Sequence, residues 1–118
     1  MNQASFAGAV LVTGASGFIG AEIVRALSNK GTPVAAQLRS TSDPWRLRDV
    51  LGRVQFVIGD IADPASLRSM MESVNPSAVI HTAWTGVKGA DRNSDGQADN
   101  VAHSVALYRA ARACGCEV

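Results

Sequence analysis

The chain has 118 residues, 47% of them hydrophobic and 18% charged, with a net charge of +1 at neutral pH. That is the size and composition of one ordinary globular domain with a small core, and it argues against disorder. No basic field suggests nucleic acid, no acidic tail is present, and no apolar run approaches a membrane span. Met1 to Gly8 lack a basic stretch and a long apolar core, so no secretory signal is expected and the cytoplasm is the default compartment. The two cysteines, Cys114 and Cys116, have no further ligands near them in the sequence and read as small helix-end residues rather than a metal site or redox pair.

In chain order, Ala9 to Thr13 is a continuous apolar run, as expected of a strand buried on both faces of a parallel sheet. Phe18 to Lys30 reads as a helix, with Ile19, Ile23, Val24 and Leu27 at helical spacing and Gly31 as its stop. Pro33 to Leu38 is the second strand, and Arg39 to Pro44 a polar loop. Trp45 to Leu51 reads as a short helix ended by Gly52, and Val54 to Ile58 as the third strand. Asp63 is a good N-cap and Pro64 a good first helical residue. The helix they open runs to about Val74, with Leu67, Met70, Met71 and Val74 on one face, and Asn75-Pro76 breaks it. Ala78 to Thr82 is the fourth strand. Trp84 to Gln97 is a long loop, and Ser94 or Asp95 could cap a last helix reaching about Cys114, with Val101, Val105, Tyr108 and Ala111 on one side and Gly115 as its stop. Strand and helix alternate four times, which predicts a doubly wound parallel α/β sheet in the order 3-2-1-4.

Between the first strand and first helix stands Thr13-Gly14-Ala15-Ser16-Gly17-Phe18-Ile19-Gly20, a G-x-x-G-x-x-G turn. Gly14 suits a tight turn at unusual φ, Gly17 leaves no Cβ between backbone and a diphosphate, and Gly20 lets the helix lie close. The amides of Ser16 to Ile19 would then face an anion at the positive end of the helix. About twenty residues after such a turn, a carboxylate would accept from a ribose hydroxyl and mark NAD. Here the chain reads Leu38-Arg39-Ser40. Arg39 could pair with a 2′-phosphate instead, which leans towards NADP over NAD; the alternative is a solvated arginine after a strand.

The glycine turn closely resembles the cofactor loop of the extended short-chain dehydrogenase/reductase family, the NAD-dependent epimerases, dehydratases and reductases. Gly59-Asp60-Ile61-Ala62-Asp63 resembles that family's Asp-x-x-Asp segment, which implies that Asp60 accepts from the adenine amino group and Ile61 packs on the ring. His81-Thr82-Ala83-Trp84 resembles its His-x-Ala-Ala segment, with Trp84 where a small residue is usual, and implies that the backbone at Ala83 lines the ribose and nicotinamide side. Asn100-Val101 matches the start of the family's long helix. The resemblance covers residues 9 to 118 and makes the whole chain, 1–118, one NAD(P)-binding Rossmann domain truncated before the fifth strand. Together with Arg39, read above from its charge, it gives Gly14, Ser16, Gly17, Phe18, Ile19, Gly20, Asp60, Ile61 and Ala83 as cofactor-binding residues.

The family's chemistry needs a Tyr-x-x-x-Lys on a later helix. Here the only tyrosine, Tyr108, is followed four residues on by Arg112, so the resemblance implies cofactor binding without turnover by this chain alone. In the intact family the substrate is most often a nucleotide sugar. A non-catalytic NADP(H)-binding regulator is the alternative, and an S-adenosylmethionine enzyme of related fold a weaker one. A fourth strand left at the sheet edge would also favour self-association through its unpaired backbone.

Overall fold

A computed structural model describes residues 8–84 and 94–118. The elements are β1 (Val10–Thr13), α1 (Phe18–Asn29), β2 (Val34–Leu38), β3 (Gln55–Ile58), α2 (Pro64–Val74), β4 (Ala78–His81) and α3 (Gly96–Ala113), with one short 3-10 turn at Trp45–Leu47. The four strands are parallel, in the order β3-β2-β1-β4. This is the topology expected from the alternation of strand and helix.

The apolar runs become strands because both faces of the sheet are covered. All five residues of β2 are buried. Successive side chains of a strand point to opposite faces, so Leu11 joins a core with Leu67, Met70, Met71, Val74 and Leu107 from α2 and α3. Its neighbour Val12 joins a second core with Val24 of α1 and with Leu47 and Val50. Asp63 caps α2 by accepting from the Ala65 amide at 3.3 Å. Asn75, with φ of 46°, ends that helix in the left-handed conformation that asparagine tolerates.

Three expectations need correction. Trp45 to Leu51 is not a short α-helix but a succession of i→i−3 turns, from Leu47 to Pro44, Val50 to Leu47 and Arg53 to Val50. Leu47 and Val50 are both fully buried, and side chains three residues apart line up on one side of so tight a winding. Arg25 of α1 holds this segment by donating from Nε to Asp49 at 2.8 Å and from Nη2 to the Arg46 carbonyl. That guanidinium lowers the pKa of Asp49.

The second correction concerns α3. Val101, Val105 and Tyr108 face outward, and the buried residues are Asn100, Leu107 and Ala111. Ala111, on the expected side, is buried, while Asn100 and Leu107 turn inward in place of Val101 and Tyr108, one residue earlier.

The edge of β4 is also not bare along its whole length. Glu117 bridges Ala78, donating to the Ser77 carbonyl at 3.3 Å and accepting from the Val79 amide at 2.8 Å. The readings made for residues 1–7 and for the loop at 85–93 fall outside the described residues.

Candidate functional site

The strand register brings Thr13 beside His81 and Leu38 beside Ile58, so the four strands end close together. The loops that follow them meet where the strand order reverses, the usual place for a ligand in an open parallel sheet. A cleft lies there. It is lined by Gly14, Ser16 and Gly17 after β1, Gln37, Arg39 and Ser42 at and after β2, Asp60 to Ala62 after β3, Thr82 to Trp84 after β4, and Asn100 and His103 on α3.

The glycine turn is built by close approach. Gly14 has φ of 64°, and a Cβ there would lie 2.8 Å from the Ala83 nitrogen. A Cβ at Gly20 would lie 2.8 Å from the Gly14 carbonyl carbon and 2.9 Å from Thr82 Oγ1, with the Gly14 carbonyl oxygen nearer still. The start of α1 is therefore pressed against the turn itself. The Gly17 amide is used internally, donating to the Gly14 carbonyl at 3.1 Å, and the helix ladder begins with Ala21 donating to Gly17 at 3.0 Å. Among the described residues the amides of Phe18, Ile19 and Gly20 meet no carbonyl. Phe18 and Ile19 are 73% and 64% exposed and do not line the cleft.

Seven of the ten expected residues thus line one cleft: Gly14, Ser16, Gly17, Arg39, Asp60, Ile61 and Ala83. Phe18, Ile19 and Gly20 do not line it, although Gly20 shapes it from below. Asp60 is also a turn residue, with Oδ1 accepting from the Ala62 amide at 2.9 Å and its own amide donating to Ser66 Oγ at 2.8 Å. Arg39 opens a tight turn, its amide donating to Ser42 Oγ at 3.0 Å and its carbonyl accepting from the Ser42 amide at 2.9 Å. Its guanidinium has no carboxylate partner among the described residues. Arg46 stands near the same end, donating from Nη1 to the Ser16 carbonyl at 3.1 Å.

Polar side chains not singled out in the sequence hold the frame. Gln37, 3% exposed, accepts at Oε1 from the Gly14 amide at 2.9 Å and donates from Nε2 to the Gly59 carbonyl at 2.8 Å. A lone amide inside the apolar run Val34 to Leu38 was the available signal, because a buried polar group needs partners. Thr13 Oγ1 lies 2.7 Å from His81 Nδ1 and accepts from the amides of Thr82 and Ala83 at 3.0 and 3.2 Å. His81 Nε2 lies 2.9 Å from Ser104 Oγ, which in turn donates to the Asn100 carbonyl at 2.9 Å. Burial lowers the pKa of His81. Trp84 donates from Nε1 to Gln97 Oε1 at 2.8 Å, which pins the indole against the start of α3.

The strand order, the pressed glycine turn and the cleft at the switch point define a Rossmann-type doubly wound α/β domain. The chain belongs to the NAD dependent epimerase/dehydratase family, whose model it matches over residues 10–118.

D-erythronate dehydrogenase of Cupriavidus necator is 35% identical to it over 116 residues, covering 90% of this chain and 35% of the dehydrogenase. The Bordetella bronchiseptica enzyme WbmH, solved in complex with NAD+, superposes with a TM-score of 0.73 at 28% identity, covering 92% of this chain and 36% of WbmH. UDP-glucose 4-epimerase of Thermus thermophilus, solved with NAD, gives 0.74 at 31% identity, covering 92% of this chain and 35% of the epimerase. The chain thus spans about a third of the length of the relatives it matches.

Proposed function

We propose that this chain is the dinucleotide-binding portion of a nucleotide-sugar epimerase, dehydratase or reductase, and that it takes a nicotinamide dinucleotide with a preference for NADP(H). The adenosine end lies by Arg39, Ser42, Asp60 and Ile61. The diphosphate lies on the backbone between Gly14 and Gly20, and the nicotinamide end beside Thr82, Ala83 and Trp84. Bound there, the cofactor supplies a hydride donor or acceptor.

The observation that carries this reading is the contact of Gly20 on Gly14. It presses the start of α1, whose first amides have no carbonyl of their own, against the turn whose Gly14, Ser16 and Gly17 line the cleft, and a helix start favours an anion. The relatives support it: WbmH and the Thermus epimerase were solved with NAD. The preference for NADP(H) rests on this chain's own Arg39, a guanidinium on the cleft without a carboxylate partner among the described residues. Turnover is not expected of these residues alone. Tyr108 and Arg112 meet on the outer side of α3, with Nη1 3.5 Å from the phenol oxygen, and neither lines the cleft.

Calorimetric titration with NADPH and with NADH tests the proposal. The protein should favour NADPH, and Arg39→Asp should reverse the order. Each preference should amount to roughly tenfold or more, the worth of one charge-assisted hydrogen bond. Equal affinity for the two cofactors would overturn the NADP preference. Binding of neither would overturn the dinucleotide reading as a whole.

A further inference from the structure

We infer that His81 is a positioning residue of the cleft: an uncharged imidazole with its proton on Nε2, it latches α3 to β1 and aims the Thr13 hydroxyl so that the Thr82 and Ala83 amides are fixed at the nicotinamide end. The role towards a cofactor rests on the dinucleotide reading above.

The assignment follows from counting protons. Ser104 Oγ has one hydrogen, and the Asn100 carbonyl takes it, since a carbonyl can only accept. The contact between Ser104 Oγ and His81 Nε2 must then be a donation from the ring. A neutral ring with its hydrogen on Nε2 presents a bare lone pair at Nδ1. The Thr13 hydroxyl supplies its single hydrogen there, across 2.7 Å. The two lone pairs of Thr13 Oγ1 are left for the amides of Thr82 and Ala83, and both are in place. Each hydrogen of the two hydroxyls and the ring, and each lone pair of Thr13 Oγ1, is used once.

The opposite tautomer fails the same count. A hydrogen on Nδ1 would bring a third donor to Thr13 Oγ1 and leave the threonine's own hydrogen without that acceptor. A doubly protonated ring has the same conflict. Protonation must therefore release one of the Thr13 contacts, and the Thr82–Ala83 backbone is held through two of them.

The surroundings leave this polarity to the hydrogen bonds. β1 and β4 carry no other ionisable side chain, and Glu117 meets β4 at its opposite end. On α3, His103 lines the cleft, while Asp99, Arg109 and Arg112 are exposed, as are Arg68 and Glu72 on α2, which packs on α3. Partial burial lowers the basicity of the ring, in the same sense as the uncharged form that the hydrogen bonds select.

Imidazole 15N spectra of the ligand-free protein test the assignment directly. The expected result is the Nε2–H tautomer for His81, with the Thr82 and Ala83 amide signals shifting at the same pH midpoint as that ring. An Nδ1–H tautomer, or amides indifferent to the His81 titration, would overturn the inference.

Calorimetry with NADPH then reads the consequence. Ser104→Ala should weaken binding about tenfold, while Ser104→Thr, which keeps the hydroxyl, should restore it. Wild-type affinity should fall as the His81 ring takes its proton, and His81→Gln should lack that step. Equal affinity for the alanine and threonine variants would overturn the positioning role. A protein that binds no dinucleotide at any pH overturns the dinucleotide reading instead, and the two failures are told apart because the spectra need no ligand.

Discussion

Gln37 joins Gly14 to the far side of the sheet: its Oε1 accepts from the Gly14 amide at 2.9 Å while its Nε2 donates to the Gly59 carbonyl at 2.8 Å. One side chain of β2 thus fixes the loop after β1 against the loop after β3, from below the cleft. Gln37→Leu keeps much of the volume and removes both bonds. It leaves a buried donor and a buried acceptor without partners, each costing about 1–3 kcal/mol. We expect a lowered urea midpoint with an unchanged slope, together with weaker dinucleotide binding, because the Gly14 turn loses its tether. A midpoint equal to wild type would show that the two backbone groups find water as readily as they find Gln37.

The two sides of α3 should behave in opposite ways. Leu107 is fully buried between the helix and the sheet, so Leu107→Ala should cost about 2–5 kcal/mol. Val105 is 42% exposed on the outer side, and Val105→Ser should change stability by no more than about 0.5 kcal/mol. Chemical denaturation of both variants checks this. A larger loss for Val105→Ser than for Leu107→Ala would place the inward face of the helix where the apolar stripe of the sequence had it.

Stability should depend on pH through His81. Burial makes the folded ring harder to protonate than the unfolded one, whose ordinary value is 6.5. Between the two values the unfolded chain binds more protons, so stability rises with pH there. It is fullest above 6.5, falls as pH drops through that value, and stops falling on this account once the folded ring has also taken its proton. Urea midpoints measured across this range should show the slope in wild type and a shallower one in His81→Gln. Identical slopes would mean that the ring is as free to charge in the fold as outside it.

How much of this could be read from residues alone follows from what kind of signal each feature leaves. Val10 to Thr13, Val34 to Leu38 and the Met70-Met71 face are apolar runs at strand or helix period, and a core must absorb them. Gly14 and Gly20 mark a turn that few other residues could make, and Asp63-Pro64 opens a helix by local chemistry.

The supports of the cleft leave no such trace. Thr13 and His81 are 68 residues apart in sequence, and only the register of β1 with β4 brings them together. Gln37 reads as an interruption of an apolar strand until its two partners are seen. On α3 the hydrophobic pattern points to Val101, Val105, Tyr108 and Ala111, yet of these only Ala111 faces inward, joined by Asn100 and Leu107, because a polar residue with its bonds made can be buried.

Trp84 stands on the wall of the cleft with its ring nitrogen tied to Gln97, whereas the other tryptophan, Trp45, lies under the Arg46 guanidinium and is not part of that wall. The protein therefore carries its own optical gauge. Ultraviolet emission from one indole should dim when a nicotinamide settles beside it, while the other shines on as an internal reference, so occupancy can be followed without attaching any dye.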